Sequence, residues 1–171
     1  RATICMTGVD KINQLDRNPR LYQLQRRDAR FINTGMMVTL NGSFVSDGLE
    51  DGRVVSGVGG QYNFVAQAQQ LDSGRSILLL RAARDNDDGS ASSNILAGYG
   101  HTTIPRHLRD IVISEYGIAD LRSKTDSEIA KALIGIADSR FQNELIAAAK
   151  KAGRIEAGWK LPEHCRRNYP A

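Results

Sequence analysis

The run VVSGVGGQYNFVAQAQQLDSGRSILLL, from Val54 to Leu80, confines this chain more than any other stretch. Two β-branched residues enter a turn rich in glycine, a stripe at helical spacing follows, and a continuous apolar segment closes the unit. Phe64, Ala68 and Leu71 fall on one helix face. SILLLRAA has no polar alternation, which predicts a strand buried on both faces of a sheet. Parallel strands need a crossover of about a dozen residues, and this helix supplies one. The order predicts an α/β fold, an open, mostly parallel sheet flanked by helices. Ligands of such sheets bind at the carboxyl ends of the strands, and VVSGVGGQ reads as such an end.

The flanking segments extend the pattern. ATICM predicts a short strand, and VDKINQLDRNPRLYQLQRR a helix on each side of a turn at DRNPR, because Pro19 drives Asn18 out of the α region. ARFINTGMMVTLNG predicts one strand that places Phe31, Met37 and Leu40 and stops at Asn41-Gly42. SFVSDGLEDGRVVSG continues as a hairpin, with Asp51-Gly52 the stronger turn signal. RDNDDGSASSN is a polar loop broken at Gly89. RDIVISEYG carries a buried strand, Ile111 to Ile113. TDSE and SRFQ match the capping box and predict two more helices. Their apolar stripes are Ile129, Leu133 and Ile136, then Phe141, Leu145 and Ala149, with Gly153 as the stop. The tail after it is expected to be extended.

Composition excludes several classes. The chain has 171 residues, 41% hydrophobic and 25% charged, which suits one soluble globular domain. No apolar run is long enough to cross a membrane. Cys5 and Cys165 stand far apart without metal spacing, so no metal site and a reduced, cytoplasmic setting are expected. The net charge of +4 concentrates at Arg17–Arg30 and Lys150–Arg167 without interleaved aromatics, so no nucleic-acid role is expected. A basic rim for an anionic ligand stays open.

Single motifs are weak. GVGG is not a dinucleotide fingerprint, since Tyr62 stands where the third glycine belongs and the next strand ends in Arg81 and Arg84 instead of an acid. Glycines alone also make tight turns. A third possibility is a helix N-terminus whose backbone N–H groups hold an anion or an oxyanion. His101, His107 and His164 are scattered, and His101 reads as a structural or surface histidine rather than a catalytic one. Glu115 ends a strand, where a turn-capping role is commoner than a catalytic one. Asp120 and Arg122 read as a local ion pair.

Longer stretches are more specific. ISEYGIADLRSKTDSEIAKALIGIADSRFQNELIAAA closely resembles the C-terminal domain of the acetyl-CoA hydrolase/transferase family, within the class I CoA-transferases. Ser114 and Ser123 replace the family's usual Thr and Gly. SGVGGQYNFVAQAQQLDSGRSILLLRAAR, FINTGMMVTLNG and TTIPRHLRDIVISEYG are similar to the family's upstream parts. The resemblance runs from about Met6 to Arg154. It implies a CoA-transferase-like fold and transfer of CoA between carboxylic acids, or hydrolysis of acyl-CoA, through a glutamyl-CoA thioester. The substrates would be an acyl-CoA and a small carboxylate, with no permanent cofactor and a homo-oligomer, a dimer, as the working form. Residues 1–171 would be one domain, most of the family's C-terminal one, without its front edge or the N-terminal domain.

The family's nucleophilic glutamate lies in an H-[ST]-E segment. These residues contain none, so no catalytic residue is assigned and the nucleophile is expected upstream; Glu50 and Glu115 match no motif. By resemblance Gly60 and Asn18 are the oxyanion donors, and Met36, Ser56, Gly60 and Arg84 contact CoA. The rival readings are a non-catalytic module that binds a CoA ester or another anion, and a structural piece that pairs with a partner chain.

Overall fold

The computed structural model describes residues 3–170. Ala2 of the expected first strand lies outside them, and Thr3–Met6 form no strand. Two short helices open the chain, α1 (Asp10–Asn13) and α2 (Pro19–Gln25). Between them lies the turn that Pro19 demands. Pro19 takes the first helical position, where its missing N–H costs nothing, and Asn18 caps the helix by accepting from Leu21 N–H at 3.3 Å.

The segment 30–42 is not one strand. β1 (Arg30–Thr34) belongs to one sheet and β2 (Met37–Thr39) to another. The break falls at Gly35, where an added Cβ would run into the buried ring of Phe44. β3 (Phe44–Val45) returns antiparallel to β2 around Asn41-Gly42, with Gly42 at φ +86°. Asp51-Gly52 also turns the chain, but the flanking strands meet only in a single bridge, Gly48 to Val54.

After the glycine turn come α3 (Gln61–Gln70) and β4 (Arg75–Leu79). The expected polar loop is in fact a small hairpin of β5 (Ala83–Asp85) and β6 (Ala91–Ser93), followed by β7 (Ile95–Leu96), which pairs parallel to β2. β8 (Ile111–Ser114) and β9 (Gly117–Asp120) form a tight antiparallel pair. The sequence reading missed β9. α4 (Asp126–Gly135) begins with the predicted capping box of Thr125 and Glu128. α5 (Ser139–Lys151) begins one residue earlier than predicted, because Asp138, not Ser139, accepts from the Arg140 N–H at 2.9 Å.

The main sheet has the order β1-β4-β8-β9; the first three strands are parallel and β9 is antiparallel. Leu78, Val112 and Ala119 align across one face and are buried in the core with Val65, Ile129 and Leu133. α3 packs on β1 and β4, and α4 on β9. The opposite face aligns Ile32, Ile77 and Ile111 in one row and Leu79, Ile113 and Ile118 in the next. Ile32 is 61% and Ile118 68% exposed. Burial of β4 on both faces is therefore corrected: only alternate residues are fully enclosed. Among the described residues no helix is long and apolar enough to cross a membrane.

Two features hold the layers in place. Asp110, with a side chain of 0% exposure, accepts from Arg75 at 2.8 Å, from Ser76 N–H at 2.8 Å and from Arg122 at 2.5 Å. Asp120 pairs with Arg75 at 2.7 Å rather than forming the expected ion pair with Arg122. The tail is not simply extended. Ile155 and Leu161 enter the core, a 3₁₀ turn covers Glu163–Cys165, and Asn168 donates to the carbonyls of Gly135 and Ala137 at 2.9 Å each. Gln142 donates to the Cys165 carbonyl at 2.7 Å from inside α5.

Removing one partner of a buried ion pair strands the other charges. Asp110→Ala is expected to lower unfolding free energy by about 3 kcal/mol. Urea denaturation of the two proteins measures it; a loss below about 1 kcal/mol, the range of an exposed pair, would show that Asp110 holds nothing.

Candidate functional site

Parallel strands β1 and β4 end side by side at Thr34 and Leu79. A cavity of about 690 Å³ opens there. Its floor is apolar: Met36, Met37, Leu49 and Leu96. Its rim carries two guanidinium groups, Arg81 and Arg84, and the phenol of Tyr99. Arg84 donates to the Asn94 side-chain carbonyl at 2.7 Å. The arrangement combines room for an apolar group with positive charge for an anion, at the strand ends where open α/β sheets bind ligands.

The glycine turn does not line this cavity; it is joined to it through Gln61, whose side chain reaches the lining residue Thr34. α3 starts at Gly60, whose φ of −89° any residue can adopt. No side chain caps the helix, so the N–H groups of its first turn have no side-chain acceptor. Gln61 reaches the Thr34 carbonyl at 3.4 Å and ties the helix start to the end of β1. A Cβ on Gly60 would sit 2.7 Å from Asn13 Nδ2 and 3.1 Å from the Phe64 ring, so a side chain there has to push the end of Asn13 aside. Val54, Val55 and Tyr62 around the turn are exposed.

The loop before the turn is tied down by Asp47. Its backbone carbonyl accepts from Val55 N–H at 2.8 Å and Ser56 N–H at 3.3 Å. Its carboxylate accepts from the Thr103 hydroxyl and meets His101 Nε2 at 2.9 Å. The Thr103 hydrogen bond first, and the His101 contact second, hold the Asp47 carboxyl below its ordinary value of 3.8, against the opposing effect of burial. His101 is thus structural, as its sequence context suggests.

The sequence profile of the acetyl-CoA hydrolase/transferase C-terminal domain matches residues 1–149. The chain belongs to that family. It is 34% identical over 122 residues to the 4-hydroxybutyrate coenzyme A transferase of Clostridium kluyveri, covering 70% of this chain and 28% of the relative. It is 32% identical over 126 residues to the butyryl-CoA:acetate CoA-transferase of Anaerostipes caccae, covering 71% of this chain and 28% of that one. Among solved structures, RipA from Yersinia pestis superposes with a TM-score of 0.71 at 30% identity, over 86% of this chain and 32% of that one. The 4-hydroxybutyrate CoA-transferase of Porphyromonas gingivalis gives a TM-score of 0.62 at 25% identity, over 85% and 31%. The chain therefore spans under a third of the length of the relatives it matches. The α/β fold expected from the sequence is that of this acetyl-CoA hydrolase/transferase family.

In this family member the residues singled out from sequence separate into groups. Met36 and Arg84 meet on the cavity. Gly60 sits at the start of α3, and Ser56 on the exposed loop before it, its hydroxyl turned to the Gly57 carbonyl at 3.4 Å. Asn18 spends its carboxamide oxygen on capping α2. The asparagine that lies against Gly60 is Asn13, which the sequence reading passed over. Glu50 borders the cavity, but its carboxylate accepts from Gly100 N–H at 3.1 Å. Glu115 caps the end of β4 instead of its own turn, accepting from Ala82 N–H at 2.8 Å. Arg81, Asn94 and Tyr99 were also missed. Arg81 alone carried a signal, a lone cation ending an apolar strand.

Because the folded state depresses the Asp47 carboxyl, its stabilisation is complete above the ordinary value of 3.8 and drains as pH falls through the lower folded value. Wild-type protein should therefore lose more stability than Asp47→Asn between neutral pH and about pH 3. Thermal unfolding of both across that range tests this; parallel pH profiles would remove Asp47 from the account.

Proposed function

We propose that this domain forms the acyl-CoA side of an active site that transfers CoA between an acyl-CoA and a small carboxylate, or hydrolyses acyl-CoA. The observation that carries the reading is the cavity at the ends of β1 and β4, with its apolar floor and its two arginines, in a member of this family. The apolar floor suits an acyl or pantetheine chain, and the guanidinium groups suit phosphates or a carboxylate.

The chemistry in this proposal is covalent. A glutamate carboxylate supplied by the H-[ST]-E segment, outside these residues, attacks the thioester carbonyl. The tetrahedral oxyanion expels CoA thiolate and leaves an acyl-glutamyl anhydride. The thiolate then attacks the glutamyl carbonyl, forming the glutamyl-CoA thioester and releasing the first carboxylate. An acceptor acid reverses the sequence, or water hydrolyses the thioester. Each tetrahedral state needs preorganised donors. The uncapped start of α3 at Gly60 offers backbone N–H groups for that purpose, and Asn13 or Asn18 a side-chain donor. Met36 and Ser56 belong to the same proposal as CoA contacts. The working form is a homodimer in a cytoplasmic setting. No cofactor takes part beyond the CoA of the substrate.

A non-catalytic CoA-ester module is the second reading, and the hydrogen bonds occupying Glu50 and Glu115 favour it for these residues taken alone. The two readings separate by experiment. Residues 1–171 by themselves are expected to bind CoA without turning over acetyl-CoA in the presence of an acceptor acid. A borohydride- or hydroxylamine-trapped adduct on Glu50 or Glu115 would overturn the assignment of the nucleophile.

In the protein that includes the nucleophile, Gly60→Val keeps the backbone N–H but sets a branched side chain where the acyl group would approach it, and is expected to lower turnover about a hundredfold, the scale of an oxyanion donor put out of reach. Stability should change much less. Equal losses of activity and folded protein, with the folded remainder fully active, would reduce Gly60 to a packing position beside Asn13 and Phe64.

A further inference from the structure

Most arginines of this fold that touch a side chain are neutralised by a carboxylate. Arg75 and Arg122 share Asp110, Arg109 meets Asp126, and Arg140 meets Asp138. The cavity rim differs. Arg84 is held by a neutral group, the Asn94 carboxamide oxygen at 2.7 Å. Arg81 is exposed, borders both the main cavity and a smaller hollow beside Glu115 and Tyr116, and has no side-chain partner among the described residues. Two positive charges three residues apart thus face one cavity mouth without a carboxylate of the protein on either.

The backbone between them is fixed by unusually complete hydrogen bonding. Asn94, 7% exposed, donates from Nδ2 to the Arg81 carbonyl at 3.0 Å and from its own N–H to the Ala82 carbonyl at 2.8 Å. Its carbonyl accepts from Val38 N–H at 2.9 Å, which anchors it to β2. Glu115, at the end of β8, takes the remaining polar group of Ala82 by accepting its N–H at 2.8 Å. Ala82 itself is wholly buried. One buried side chain therefore holds both the backbone of Arg81 and the guanidinium of Arg84. It does so without a negative charge, and no carboxylate pairs directly with either guanidinium among the described residues, although Glu50 lines the same cavity with its carboxylate on Gly100 N–H. An arginine whose backbone is already fixed loses less freedom when it binds.

We propose that Arg81 and Arg84 form one anion clamp, and that Asn94 and Glu115 are its positioning residues. The clamp takes anionic oxygens of the substrate, a phosphate of the CoA moiety or a carboxylate of the acid. The assignment rests on the proposed function for the identity of the substrate, but the clamp itself rests on the geometry of residues 81–84 and 94.

The experiment uses the protein that includes the nucleophile, with steady-state kinetics and titration of CoA alone. Arg81→Ala is expected to raise KM for acyl-CoA about tenfold or more, the scale of a charge-assisted hydrogen bond, with a smaller change in kcat. Asn94→Asp puts a carboxylate against Arg84 and removes the donor to Arg81; it should raise KM similarly and, through the lost buried hydrogen bond, lower the unfolding temperature while leaving folded protein to assay. Glu115→Ala should raise KM, and Glu115→Gln, which keeps an acceptor for Ala82 N–H, should restore it. If the anion is a CoA phosphate, the Arg81→Ala effect vanishes with an acyl-pantetheine thioester. If it is a carboxylate, the effect moves to the KM of the acceptor acid. Unchanged KM values for both substrates in folded Arg81→Ala and Asn94→Asp proteins would overturn the clamp. Wild-type protein without turnover would overturn the functional reading alone; the clamp would then stand or fall on whether Arg81→Ala weakens CoA binding in the titration.

Discussion

A carboxylate buried among three strands sets much of this structure. Asp110 lies at the start of β8, accepts from the backbone of β4 at Ser76, and gathers Arg75 from β4 and Arg122 from the end of β9. Its own carbonyl accepts from Leu121 N–H at 2.7 Å. A shift of one residue in any of these strands would turn its apolar side chains to the wrong face and pull a charged partner from Asp110. With the register fixed at this end, the opposite end follows. Leu79 and Ile113 finish together, and Glu115 arrives within reach of Ala82 N–H. The cavity rim is thus set by an ion-pair cluster at the far end of the same strands.

Much of this could be read from the residues. The glycine turn, the crossover helix and SILLL announced a parallel α/β sheet, because a period of 3.6 followed by a continuous apolar run has few other solutions. Thr125 and Glu128 announced their helix through reciprocal capping, and Gly153 ended the next one at φ +67°. The failures share one cause, which is tertiary contact overriding local pattern. β1 and β2 read as one strand, since nothing in FINTGMMVT reveals that Phe44 will press against Gly35. The hairpin of β5 and β6 looked like a loop because its residues are polar and its faces only partly buried. Resemblance named Met36 and Arg84 as CoA contacts, and both line one cavity. Asn94 was invisible: SSNI has no motif, and its role comes from four hydrogen bonds, to Arg81, Ala82, Arg84 and Val38, all distant in sequence.

The chain belongs to the acetyl-CoA hydrolase/transferase family and has the domain described as C-terminal. Its described features are a cavity lined by two arginines and, tied to that lining through Gln61 and Thr34, a helix start with no side-chain cap. In the proposed function these are the groups that hold and polarise a substrate. The carboxylates near them, Glu50 and Glu115, are engaged as acceptors for backbone N–H groups, a structural use that fixes loops.

The docked tail bears on where such a domain can be cut. The family profile stops at residue 149, in the last turn of α5. A polypeptide ended there would lose Ile155 and Leu161 from its interior and the Asn168 carboxamide that covers the carbonyls of Gly135 and Ala137. Gln142 would lose the shortest of its amide's hydrogen bonds, to the Cys165 carbonyl, and keep those to Ile134 and Ala137. An expression boundary drawn from sequence similarity alone would therefore sever part of the fold. The physical edge of this domain lies at least as far along as Asn168, where the last buried side chain closes over the end of α4.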